Sequence, residues 1–196
     1  MTGAFINYRT GDGEKEAALL DEVLRQEFGN KRVFRDQRAL EPGEDFPAKL
    51  WQRLRESNVV LVLVGPNWLT ARNEAGELKL LVKGDYVHDE IAAALQQSPT
   101  RVITILLNGT PHLVAAQLPP EIKKLADRQV MYLRTPLAHL DLPLVVKEVR
   151  KYLPPAGGKR AKDRGPGRGP NGGTSLTGIK GSAVVIGNGN ATNGKN

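Results

Sequence analysis

The sequence contains no cysteine. This excludes disulfides, thiolate metal ligands and cysteine nucleophiles, and it suits a reducing compartment. Also missing is any run of the roughly 20 apolar residues that a membrane-crossing helix needs. The opening MTGAFINYRT has neither the basic stretch nor the small-residue cleavage site of an export signal. A cytoplasmic protein without a membrane span is therefore expected. The three histidines, His88, His112 and His139, are scattered without metal-ligand spacing, so no metal site is expected. No GxGxxG links a strand to a helix and no GxxxxGKS occurs. Ordinary dinucleotide oxidoreductases and P-loop enzymes thus lack their phosphate loops here.

The formal charge is +7, but it is unevenly placed. Residues 1–153 carry 21 Lys and Arg against 20 Asp and Glu, whereas residues 154–196 carry 7 against 1. The folded part is thus almost neutral, and its function is to be sought in a site rather than in a surface field. The tail's cations are widely spaced and have no aromatic residues among them, so specific nucleic-acid binding is not expected.

The apolar pattern of residues 1–153 alternates between strands and helices. AFINY at 4–8 reads as a strand, and Leu20, Val23, Leu24 and Phe28 mark a helix over 14–28 with Gly29 as its C-terminal stop. RVFRD at 32–36 is a second strand. The loop QRALEPGED leads to a helix marked by Phe46, Leu50 and Leu54. NVVLVLVGP at 58–66 is apolar throughout, as befits a central parallel strand covered on both faces. A polar insertion precedes DYVHDEIAAALQQ at 85–97, a helix with Asp85 as N-cap. RVITILL at 101–107 and QVMYL at 129–133 supply two more strands, and 137–153 contains a last helix ending at Pro154. This order predicts an α/β fold: a flavodoxin-like, five-stranded parallel sheet, order 2-1-3-4-5, with helices on both faces. Ligands of such sheets bind at the strands' carboxyl ends, where the strand order reverses between β1 and β3. The loops after Tyr8, Asp36 and Gly65 converge there.

Several ordered pieces resemble TIR domains over residues 3–153: AFINYR, VFRD followed by LEPGEDF, VVLVLVGPNWL, and GDYVHDEIAAAL. The second piece is similar to the family's second strand and BB loop. The last is similar to the segment of NAD-cleaving TIR domains in which an aromatic residue is followed four positions later by a glutamate, here Tyr86 and Glu90. The family's familiar tryptophan is replaced by Tyr86, which offers less stacking area. The resemblance implies an NAD glycohydrolase with Glu90 as its catalytic carboxylate and NAD as substrate, needing no added cofactor. Nicotinamide is already a cationic leaving group, so the reaction needs no general acid. One fixed carboxylate can stabilise the positive charge that develops on the ribose. The resemblance further implies that Tyr8, Arg9 and Arg35 lie around the dinucleotide, with Trp68 and Tyr86 as aromatic partners for its rings.

After Pro154 the composition changes to PPAGGKRAKDRGPGRGPNGG, too poor in apolar residues to offset its ordering entropy. The division read here is 1–153 TIR domain, 154–173 flexible basic linker, and 174–196 assembly segment. VVIGNGN at 184–190 resembles the core of RHIM-like amyloid signalling motifs, with Val184, Ile186, Gly187 and Asn190 in register and Val185 in place of a central glutamine. Stacked copies would align the apolar faces and build asparagine ladders. Tethering would raise the local concentration of the attached domains. A homo-oligomer or filament, and an amyloid-motif partner protein, are the expected partners, in a cell-suicide or antiphage setting. The alternative is a scaffold that binds through TIR and amyloid contacts and does no chemistry, in which case Glu90 is incidental.

Overall fold

The computed structural model describes residues 3–35 and 46–155. The stretch LEPGED expected to be the BB loop, the expected basic linker beyond Pro155 and the expected assembly segment with Val184, Ile186, Gly187 and Asn190 lie outside them. β1 (Gly3–Asn7), β2 (Val33–Arg35), β3 (Ser57–Val64), β4 (Arg101–Leu107) and β5 (Val130–Leu133) form one sheet. Every pairing is parallel and the order is β2-β1-β3-β4-β5, as expected. The helices are α1 (Glu14–Phe28), α2 (Phe46–Arg55), α3 (Tyr86–Gln96) and α4 (Ala138–Arg150).

The period-two alternation of the strands sorts the core into two layers. On β3, Val59, Leu61 and Leu63 meet α1 and α4 through Leu20, Leu24, Phe28, Val145 and Val149. Val60, Val62 and Val64 point the other way, toward Leu50 and Leu54 of α2 and Ile91 and Ala94 of α3. Each such fully buried aliphatic side chain contributes about 1.5–3 kcal/mol relative to exposure. A β3 that is apolar on both sides is the sequence's consequence of being covered twice.

Local chemistry fixes the element ends. α1 stops at Gly29, whose φ of 93° is cheap only for glycine. α3 starts at Asp85, whose carboxylate accepts from the backbone N–H of His88 at 3.0 Å. The sequence pattern names no element between β4 and β5, and one expectation, the end of the last helix, is corrected. The crossover from β4 to β5 has no α-helix among the described residues. It is built from the 3-10 turns Ala115–Gln117 and Lys123–Leu125, with Leu113, Leu118, Ile122 and Leu125 covering the sheet instead. The last helix also ends at Arg150 rather than running to Pro154, and its final residues close as turns, with Tyr152 and Leu153 donating to the carbonyl of Val149.

α4 is anchored at the sheet's edge by Asp141. It accepts from the backbone N–H of Arg134 at 2.9 Å and from the guanidinium at 2.9 and 2.7 Å. The side-chain bond from Arg134 outweighs burial and holds the Asp141 carboxyl below its ordinary pKa. A depressed pKa means that the anchor is fully present above the unfolded-state value, near ~3.9, and is lost as pH falls through the folded-state value. Asp141→Asn is therefore expected to lower Tm at neutral pH. In thermal melts across pH, its deficit against the wild type should shrink as acidity increases below that range.

Candidate functional site

The same alternation decides which residues of β1 and its exit serve the α3 side. Ala4, Ile6 and Tyr8 belong to the layer of α1, while Phe5 faces the layer of α3. Asn7 follows Phe5, is fully buried, and reaches α3: its Nδ2 donates to Glu90 Oε2 at 2.6 Å and to the carbonyl of Val87 at 3.3 Å. Glu90 is only 1 % exposed. A carboxylate on the second turn of α3 is thus joined to the carboxyl end of β1, beside the point where the strand order reverses.

Arg9, two residues on, reaches the start of the same helix. Its two terminal nitrogens donate to the two oxygens of Asp85 at 2.8 and 2.9 Å, and both side chains are almost withdrawn from solvent. A bidentate guanidinium–carboxylate pair of this kind is both strong and directional. Because Asp85 also caps α3, one carboxylate fixes the helix start and the arginine together.

Above this pair opens a cleft of about 430 Å³, toward the lower end of small-molecule pockets. Tyr8, Arg9, Asp85, Tyr86 and Val87 line one side, and Lys79 and Lys83 of the β3–α3 segment line another. Tyr86 is 47 % exposed, so a large part of its ring is open to the surroundings. Glu90 lies one helical turn beyond Tyr86 and is not itself a wall of the cleft.

The remaining expected residues are placed elsewhere. Arg35 is buried on the α1 side of the sheet, its guanidinium 5.8 Å from the ring centre of Tyr8 and its Nε 3.9 Å from Asp21 of α1. Strand alternation puts it on the face opposite Glu90. Trp68 is fully buried in the apolar layer of α2 and α3. Its ring is enclosed by core side chains and is not part of the cleft wall. Arg9 is on the cleft wall, and its terminal nitrogens are taken by Asp85 rather than held out toward phosphates.

Asp12 went unread in the sequence. It is buried in the β1–α1 loop and accepts from the backbone N–H of Asn67, in the loop after β3, at 3.1 Å. It thereby joins the two loops that flank the switch point. Burial pushes its carboxyl pKa up, against the lowering effects of Asn67 and Arg9. Gly65 lies against it: a Cβ there would collide with the Asp12 carboxylate. The available signal was GDG at 11–13, since glycines around an acidic residue mark a tight loop. Among the described residues no group of three His, Cys, Asp or Glu could hold a metal ion. No helix there is long and apolar enough to cross a membrane.

Comparison with known proteins agrees with the fold. A family model described as TIR domain matches residues 4–139. Among solved structures, the chain is similar to the TIR domains of the activated Roq1 resistosome directly recognizing the pathogen effector XopQ. That match has 14 % identity, covers 76 % of this chain and 97 % of that one, and has a TM-score of 0.54. At such identity the likeness speaks to the fold alone. A looser match, 16 % identical with a TM-score of 0.48, is to a metazoan TIR-STING receptor from C. gigas in complex with 2',3'-cGAMP. It covers 74 % of this chain and 38 % of the receptor's. No curated protein matches the chain.

Three substitutions test the architecture of the site. Arg9→Met leaves Asp85 buried without its counter-ion and is expected to cost about 3 kcal/mol in denaturant unfolding; adding Asp85→Asn should recover part of that loss. Gly65→Ala, which drives a methyl group into Asp12, is expected to cost about 1–3 kcal/mol.

Proposed function

The chain belongs to the TIR domain family, and we propose that it is an NAD glycohydrolase switched on by self-association. The observation that carries this reading is the Glu90 carboxylate, held on Asn7 at the reversal point of the strand order, one helical turn from an exposed aromatic ring at the mouth of a cleft. In the reaction the bond between ribose and nicotinamide breaks and its electron pair leaves with nicotinamide. Water adds to the anomeric carbon and loses a proton, giving ADP-ribose; an internal nucleophile in place of water gives a cyclic isomer. Glu90 stabilises the positive charge on the sugar as that bond lengthens. Tyr86 supplies a stacking face. Asn7 holds the carboxylate, so that no reorganisation is needed as charge develops.

Self-association enters because Glu90 stands behind the cleft wall in the single chain, and a neighbouring copy can reshape that wall. In this reading residues 174–196 collect the domains, and TIR–TIR contacts complete the site. A specific observation favours the second reading, a scaffold without chemistry. Glu90 is nearly inaccessible, and its bond to Asn7 is by itself a sound way to fasten α3 to β1.

The two readings separate on one substitution. Glu90→Gln keeps the shape and an oxygen acceptor for Asn7, so it should melt close to the wild type. Under the enzyme reading it should lose nicotinamide release by about a hundredfold or more. Undiminished turnover removes Glu90 from the mechanism, and absence of turnover in concentrated wild type supports the scaffold. Deleting 174–196 is expected to lower activity in dilute solution and to be compensated at high protein concentration; equal dilute activity with and without that segment counts against assembly-driven activation.

A further inference from the structure

The cleft's charge is not carried where an anionic ligand was expected to find it. Arg9, Lys79 and Lys83 are its cationic lining residues and Asp85 its acidic one. Arg9 and Asp85 neutralise each other in a part-buried bidentate pair, and Asp85 is further committed to capping α3. Withdrawing Arg9 to meet a ligand would strand the Asp85 carboxylate in a poorly solvated place. Asn73, also on the wall, is tied to Glu77 through both ends of its amide.

Among the described residues Lys79 and Lys83 have no ion pair, so of the cleft's cationic lining residues they are the two not held by a carboxylate there. Lys79 sits in a 3-10 turn, Lys79–Leu81, and Lys83 directly precedes Gly84. The φ of 87° at Gly84 turns the chain into the α3 cap. The two lysines are thus carried to the cleft by the same short connection that starts the helix bearing Tyr86 and Glu90.

We infer that Lys79 and Lys83, rather than Arg9, form the subsite for a diphosphate-bridged ligand in this cleft, the pyrophosphate of the dinucleotide if the proposed function holds. A pyrophosphate diester carries two negative charges at neutral pH, which two ammonium groups match. Lysine suits the task as a mobile point charge, where a guanidinium already locked in a fork does not. The inference rests on the NAD reading for the ligand's identity, but the subsite is testable without turnover.

The test is calorimetric titration of the full chain carrying Glu90→Gln with ADP-ribose, with inorganic pyrophosphate and with adenosine. Lys79→Ala and Lys83→Ala should each weaken the two phosphate ligands about tenfold. Both changes together should weaken them further and flatten the dependence on salt, with adenosine unaffected. Full affinity for ADP-ribose in the double variant overturns the inference, as does an equal loss for adenosine or no binding of either phosphate ligand by the parent. If Glu90→Gln still releases nicotinamide from NAD while the lysine changes weaken phosphate ligands, the catalytic reading fails and the subsite stands.

Discussion

The ion pair between Arg9 and Asp85 is the constraint on which the carboxyl edge of the sheet depends. Arg9 is placed by β1 and Asp85 by the end of a long connection from β3, so the pair closes a loop of many residues and sets where α3 begins. Once α3 begins there, Val87 and Glu90 fall over Asn7, and Tyr86 is left at the rim. Removing either charge would release the helix start and leave the other charge in a poorly solvated place, a much larger penalty than the loss of a surface pair.

Around this pair the sheet divides its labour by face. Tyr8, Arg35 and Asp21 form one buried group on the α1 side, with the guanidinium near both a ring and a carboxylate. Asn7, Glu90, Arg9 and Asp85 form the other, on the α3 side. Asp12 links the two flanking loops through Asn67. At the far side of α1, Glu16 accepts from Asn108 and Thr135, drawing the exits of β4 and β5 to the helix. Burial raises the Glu16 pKa less than the hydrogen bonds from Thr135 and its neighbours lower it, so Glu16 stays charged as a brace.

Most of the fold was legible because its signals are local. The apolar run of β3, Gly29 after α1, Asp85 before α3 and the whole of β4 each declare themselves within a few residues. The misses come from tertiary context. The β4–β5 crossover lacks helical periodicity because its apolar residues are pinned singly, by turns. Trp68 and Arg35 are expected around a ligand only through the family resemblance, and the layer each side chain meets is decided by tertiary packing. For the candidate site, the Tyr86–Glu90 spacing was readable from the family pattern. The Asn7 contact was not, since 83 positions separate the partners. Lys79 and Lys83 fell within a stretch read only as a polar insertion, where no periodicity distinguishes a wall of the cleft from ordinary surface.

The alternation along β1 also limits how this chain can drift over generations. Asn7 meets α3 and Tyr8 meets α1 because their side chains leave the strand in opposite directions. A one-residue deletion within β1 that slips its register would bring Tyr8 to the place of Asn7, presenting a phenol to Glu90 and moving the Asn7 amide to the apolar layer, whereas an insertion would bring Ile6 there. The register of this strand is consequently as constrained as its composition, because a slip of one residue moves every side chain to the opposite face.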